Sequence, residues 1–193
     1  MATQEQKTVA FVLYPGLTLL DMVGPLQVFA SLRQFNDQYR PVVVAERLEP
    51  HAHRRPAHRH RRPHLRRRPV PGRWSWPRPG CWRAARPTTH WAYHRLLERL
   101  GATYLPERWV EDGKFITSAG VSAGIDMALA LVARLTDEPT ARMVQLWIEY
   151  DPHPPFGGID WTQVDRDMAE PVVTQWVQTQ LADRPDLLAK LSG

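Results

Sequence analysis

The chain has 193 residues, 43% of them hydrophobic and 23% charged, which is the size and balance of one globular domain and excludes disorder throughout. Its formal net charge of +5 comes from one stretch: between His51 and Arg86 there are twelve Arg, five of the 8 His and six of the 18 Pro, with no Lys, Asp or Glu, and without those twelve the chain is net acidic. No apolar run approaches the roughly 20 residues of a membrane span, the first residues lack secretory-signal features, and the lone Cys81 cannot form an internal disulfide, so a cytoplasmic protein is expected.

In chain order, KTVAFVLY (7–14) is a β-branched and aromatic run that stops at Pro15-Gly16, as a buried strand ending in a turn does. After Thr18, apolar residues recur at near-helical spacing from Leu20 to Leu32, which predicts a helix. RPVVVA (40–45) reads as a second buried strand, and strand, helix and strand in this order imply a parallel βαβ unit. Trp91 to Leu100 reads as an amphipathic helix ended by Gly101, and WVEDGKFITSAG as two strands joined at Asp112-Gly113. Ser122 to Leu135 is apolar nearly all round, which predicts a buried helix; Pro139 to Tyr150 makes another, with Pro near its first turn. DPHPPFGG must be an extended loop, and residues from about Asp165 to Leu191 are helical with interruptions near Pro171 and Pro185.

These residues carry a resemblance. VAFVLYPGLTLLDMVGPLQVF resembles the first strand, turn and helix of the ThiJ/PfpI superfamily, which has a class I glutamine-amidotransferase-like fold. RPTTHWAYHRLLERLGATYLPERWVEDGKFITSAGVSAGIDMALALVARL resembles the same superfamily downstream of its nucleophile, and EYDPHPPF is similar to the isocyanide hydratase branch. The resemblance implies one α/β domain over 1–193: a flavodoxin-like three-layer sandwich with a parallel sheet, incomplete in the middle. It also implies a cysteine nucleophile on a sharp strand-to-helix turn, where the helix N-terminus lowers the thiol pKa.

On the hydratase branch an acidic residue of the first helix lies near that thiol, and Asp21 in LTLLDMVGP matches it. Its implied role is to shuttle the proton while water adds to the isocyanide carbon, giving an N-substituted formamide. Without the motif, Asp21 would read as helix capping or first-turn support of a helix dipole. His90 in TTHW matches a histidine that in some relatives sits near the nucleophile; a helix-start or packed core histidine is the alternative. Gly120 and Gly124 flank a helix start whose amides could line the site, with close packing as the other reading. His90 and His94 are four residues apart but have no Glu between them and no third ligand, so neither a metal nor a cofactor is expected.

The resemblance requires a cysteine elbow just before Thr88-Thr89-His90, where this chain has PVPGRWSWPRPGCWRAAR. Joining the last base of each codon to the first two of the next gives valine at Trp74-Ser75, alanine at Trp76-Pro77, leucine at Cys81-Trp82 and alanine at Trp82-Arg83, nearly forced by the code. With GC-rich choices elsewhere, positions 70 to 84 become CTGSLVLAAAGLLAG, an elbow and its helix. The nucleophile falls at position 70, now Val70, and Cys81 is a bystander too close to Thr89. The segment 47–86 therefore reads as out-of-frame and shortened. Unpaired charge at this density cannot enter a core, so an exposed, disordered segment and an aggregation-prone, inactive protein are expected.

The implied partner is a small-molecule isocyanide, with homodimers common among intact relatives. Two other functions remain open. Arg-rich residues 54–68 could neutralise phosphates while Trp74, Trp76 and Trp82 stack on bases, giving nonspecific nucleic-acid binding. Alternatively the chain is a regulatory or redox-sensing member of the same superfamily.

Overall fold

The computed structural model describes residues 6–14, 17–45 and 85–191. Nearly all of the Arg-rich segment, including Val70, Trp74, Trp76, Cys81 and Trp82, lies outside the described residues. Its last two residues do not: the Ala85 carbonyl accepts from Thr103 N–H at 2.9 Å, and Arg86 N–H donates to Asp112 at 2.8 Å. Pro87 continues the pairing by accepting from Leu105 N–H at 3.0 Å.

The first described unit is the expected one. Strand β1 (Lys7–Leu13), helix α1 (Leu19–Leu32) and strand β2 (Tyr39–Ala45) form a βαβ unit, with β1 parallel to β2 in register from Lys7 opposite Tyr39 to Leu13 opposite Ala45. The carboxyl ends of both strands therefore share one edge. In open α/β sheets ligands bind outside that edge, and the chain turns from Tyr14 into α1 there.

Residues 91–100 do not form one helix. Trp91–Tyr93 is a single 3₁₀ turn, and α2 covers only His94–Arg99. The physical reason is local: the His90 ring takes the Ala92 N–H at 3.3 Å, and Tyr93 N–H bonds the His90 carbonyl three residues back. Gly101, with φ +86, ends α2 as expected. The hairpin β3 (Trp109–Asp112) to β4 (Phe115–Ser118) is antiparallel, and Gly113 opens its two-residue loop with φ +61.

Helix α3 (Ala123–Leu135) is buried along one stripe, Ala123, Gly124, Ala128 and Val132, and not all round. That stripe faces α1 and α4 (Glu138–Trp147), while the remaining apolar residues stay half-exposed. Asp137 caps α4 by accepting from Thr140 N–H at 2.7 Å, and the helix ends before Glu149, which has φ +50, short of the expected Tyr150. A 3₁₀ turn (Arg166–Ala169), α5 (Glu170–Gln180) and α6 (Pro185–Leu191) follow, with Pro171 in the first turn of α5 and Pro185 opening α6.

The core is built where α1, α3 and α4 meet: Val28, Phe29, Leu32, Tyr39, Ala128, Val132, Ala141 and Val144, with Phe11 edge-on to Phe29 at 6.0 Å. Each large apolar side chain here contributes about 1.5–3 kcal/mol by leaving water. The α1–α3 crossing is close because glycines meet bulk on both sides. A Cβ on Gly24 would lie 2.9 Å from Ile125, and one on Gly124 would lie 3.3 Å from the Pro25 ring. Gly124 is thus a packing glycine, the plainer of its two readings. Tyr39 ties the sheet to the end of α3 by donating its hydroxyl to the Leu135 carbonyl at 2.7 Å.

Candidate functional site

Asp21 stands in the first turn of α1, just past the carboxyl end of β1, on the side where α/β sheets hold ligands. Two features of the local sequence put it there. Thr18 starts the helix in extended geometry (φ −69, ψ 123), and Asp21 N–H bonds the Thr18 carbonyl at 3.0 Å. Pro25, inside α1, has no N–H to donate to the Asp21 carbonyl four residues back, which loosens the helix at this turn.

His90 reaches the same place from the other half of the chain. The Thr-Thr-His segment is pinned by Thr88, which is 3% exposed: its N–H donates to the Thr117 hydroxyl at 3.0 Å, and its own hydroxyl donates to the Glu107 carbonyl at 2.8 Å. His90 follows in extended geometry and caps the 3₁₀ turn through Nδ1, which accepts from Ala92 N–H at 3.3 Å. With Nδ1 accepting, the neutral ring carries its proton on Nε2 and can donate from that atom. The ring lies against Trp91 and Tyr93, at 5.6 and 5.5 Å, and Tyr93 in turn stacks near Trp176 at 5.6 Å.

The two residues named from the sequence are electrostatically coupled. Partial burial raises the Asp21 pKa, against the lowering effects of a hydrogen bond from Thr18 and of the nearby His90. Burial lowers the His90 pKa, while the charge of Asp21 pulls it back up. Tyr14, one residue beyond β1, joins them: burial raises its pKa first, and the Asp21 charge raises it further. A carboxylate pushed up and an imidazole pushed down approach each other in proton affinity.

Gly120 also belongs here, since a Cβ on it would lie 3.4 Å from the His90 ring. Its companion Gly124 serves the helix crossing instead. His94 does not share a site with His90. Its Nδ1 lies 2.9 Å from the Trp91 carbonyl oxygen, its Nε2 4.0 Å from Asp167, and its ring against Tyr104 at 5.6 Å. Among the described residues no group of three or more His, Cys, Asp or Glu could hold a metal ion. Cys81 and position 70, the alternative places for a thiol, lie outside the described residues.

Sequence reasoning did not single out Tyr14 and Thr18. Their signal was present as the residue that ends the first strand and the Thr that starts the first helix, three positions before Asp21. It also missed a second polar cluster at the start of α3. Arg108 donates to Asp126 at 2.6 Å, and Tyr150 donates to the other Asp126 oxygen at 3.2 Å. This cluster fastens the beginning of EYDPHPPF to α3, after which the loop runs into solvent with Phe156 96% exposed.

No family model matches the chain. Over 77 residues it is 51% identical to an isonitrile hydratase of Pseudomonas putida, a match covering 40% of this chain and about a third (34%) of the relative's length. Its structure is similar to the crystal structure of a THiJ/PfpI family protein from Pseudomonas syringae, with a TM-score of 0.61 over 98% of this chain and 92% of the other at 22% identity. That likeness shows the fold, the α/β arrangement expected from the sequence. Among the described residues no helix is long and apolar enough to cross a membrane. The chain thus shares a ThiJ/PfpI-like fold with one protein and a 77-residue stretch with an isonitrile hydratase, of whose length that match spans about a third.

Proposed function

We propose that this chain descends from an isocyanide hydratase, with Asp21 as proton shuttle and His90 as its partner, and that it is inactive as written because the nucleophile elbow is missing. The observation that supports the reading is that Asp21, in the first turn of α1 past the carboxyl end of β1, and His90 act on each other's charge. The match to an isonitrile hydratase supports the substrate class. In the reaction a thiolate adds to the isocyanide carbon, water replaces it there, and the two protons of water end on nitrogen and carbon, giving R–NH–CHO. Asp21 carries the proton on this path, and neutral His90, with its proton on Nε2, donates toward developing charge. A homodimer is the oligomeric state we propose from the family resemblance.

Val70 stands where the other reading frame places the cysteine. The purified protein should therefore give no N-alkylformamide above background when an alkyl isocyanide is followed by NMR. The same chain carrying CTGSLVLAAAGLLAG at positions 70–84 tests whether the elbow is what is lacking. Full activity of the unaltered chain that disappears in Cys81→Ser would overturn the assignment of Cys81 as a bystander. The nucleotide sequence across codons 46 to 87 gives an independent check, since a +1 or −1 register without these codons would remove the argument.

A further inference from the structure

We propose that Trp176 of α5 is a positioning residue for His90, acting through Tyr93 to hold the imidazole in the orientation that leaves Nε2 as its donor. The inference rests on the reading of His90 as a donor in the reaction. Within its own segment the ring is weakly fixed. The hydrogen bond from Ala92 N–H to Nδ1 is long, at 3.3 Å, and Trp91, whose ring lies 5.6 Å away, is the chain neighbour of His90, so the pair can turn together.

Tyr93 connects the ring to a remote part of the chain. Its N–H donates to the His90 carbonyl at 2.8 Å, which closes the 3₁₀ turn, and the two rings stand 5.5 Å apart at 48°. The Tyr93 ring also meets Trp176, 5.6 Å away at 40°. Both spacings lie in the range at which aromatic rings attract each other. Trp176 is 47% exposed although it borders the face of α5 that buries Val173 and Val177, so the valines fill the core while the tryptophan reaches Tyr93. The helix beneath it is fastened: Arg99 Nη2 donates to Glu170, where α5 begins, at 3.0 Å, and Nη1 donates to the Leu191 carbonyl, where α6 ends, at 2.5 Å. The imidazole thus has neighbours from two further elements, Gly120 before α3 and a stack of rings based on α5.

The test is heteronuclear NMR of the neutral His90 ring and amide exchange at Ala92 in the full chain, with thermal unfolding of each variant. In Trp176→Leu the Nδ1 and Nε2 resonances should move toward each other, because one tautomer is no longer held, and Ala92 N–H should exchange several-fold faster, with the unfolding midpoint near the wild-type value. Trp176→Phe keeps a ring there and should restore both. Tyr93→Leu should change His90 at least as much, and adding Trp176→Leu to it should change His90 no further, since Trp176 acts through Tyr93. Unchanged His90 resonances in Trp176→Leu, with or without a lowered unfolding temperature, would show ordinary packing and overturn the proposal, as would an effect that adds fully to that of Tyr93→Leu. Trp176→Met gives the same decision if the leucine variant does not fold. Failure of the donor reading is visible separately: with CTGSLVLAAAGLLAG at positions 70–84, formamide formation that survives His90→Phe would sink it, while the ring resonances still decide Trp176.

Discussion

Helices α1 and α3 begin alike, each with an aspartate in its first turn, and they cross so closely that Gly24 meets Ile125 and Gly124 meets Pro25. The two aspartates have different surroundings. Asp126 is paired with Arg108 and Tyr150, and those bonds fasten a loop. Among the described residues, the groups that act on Asp21 are a histidine whose pKa burial lowers, a phenol and the Thr18 side chain. Proton affinity is tuned where a charge is half-buried without a full counter-charge. A strong ion pair holds structure in place, whereas a weakly compensated carboxylate can change its protonation state.

The comparison breaks most completely if the shared support is removed. Phe29→Ala, in the core shared by α1, α3 and α4, should cost about 3–5 kcal/mol in chemical denaturation, and the Asp21–His90 coupling should vanish with the fold. Gly24→Val forces a side chain into Ile125 and should cost about 1–3 kcal/mol. Its diagnostic readout is a changed His90 titration in whatever fraction folds, since the spacing of the two helices sets where Asp21 stands. Arg108→Ala sharpens the contrast from the other side. The pair is largely solvent-exposed, so at most about 1 kcal/mol is expected, but amide exchange at Tyr150 and Asp151 should quicken as the loop start is released.

The smallest effect on stability and the most informative one belongs to Asp21→Asn. Removing its charge should lower the His90 pKa further, because Asp21 is what raises it, and should lower the Tyr14 pKa by removing a repulsion. The sign of the pH dependence follows. Asp21 binds its proton more tightly folded than unfolded, so it adds stability as pH falls through its raised folded pKa. His90 binds its proton less tightly folded, so stability is lost as pH falls below the ordinary histidine range. In Asp21→Asn the first contribution disappears and the second grows, which comparison of unfolding curves across acid pH can read.

Several elements were legible because one local signal sufficed. A β-branched run ending at Pro-Gly, an apolar helical period and a second short run leave a parallel βαβ unit as the economical arrangement, and the Asp112-Gly113 turn marks its hairpin. The Trp91–Leu100 helix was misjudged because periodicity does not show that the His90 ring takes the Ala92 N–H. The burial of α3 was overestimated because an apolar sequence shows what can be buried, while its neighbours decide which stripe is.

By itself, the sequence determined the order of these elements, the family resemblance, and Asp21 and His90 as residues to watch, since period and motif are written along the chain. Only the tertiary structure decided that Asp21 and His90 come close enough to act on each other's charge, and that Gly124 packs a crossing while Gly120 lies against His90. Each of these depends on distances between segments remote in sequence, and the energies that set them, burial and Coulomb interaction, act through space and not along the chain.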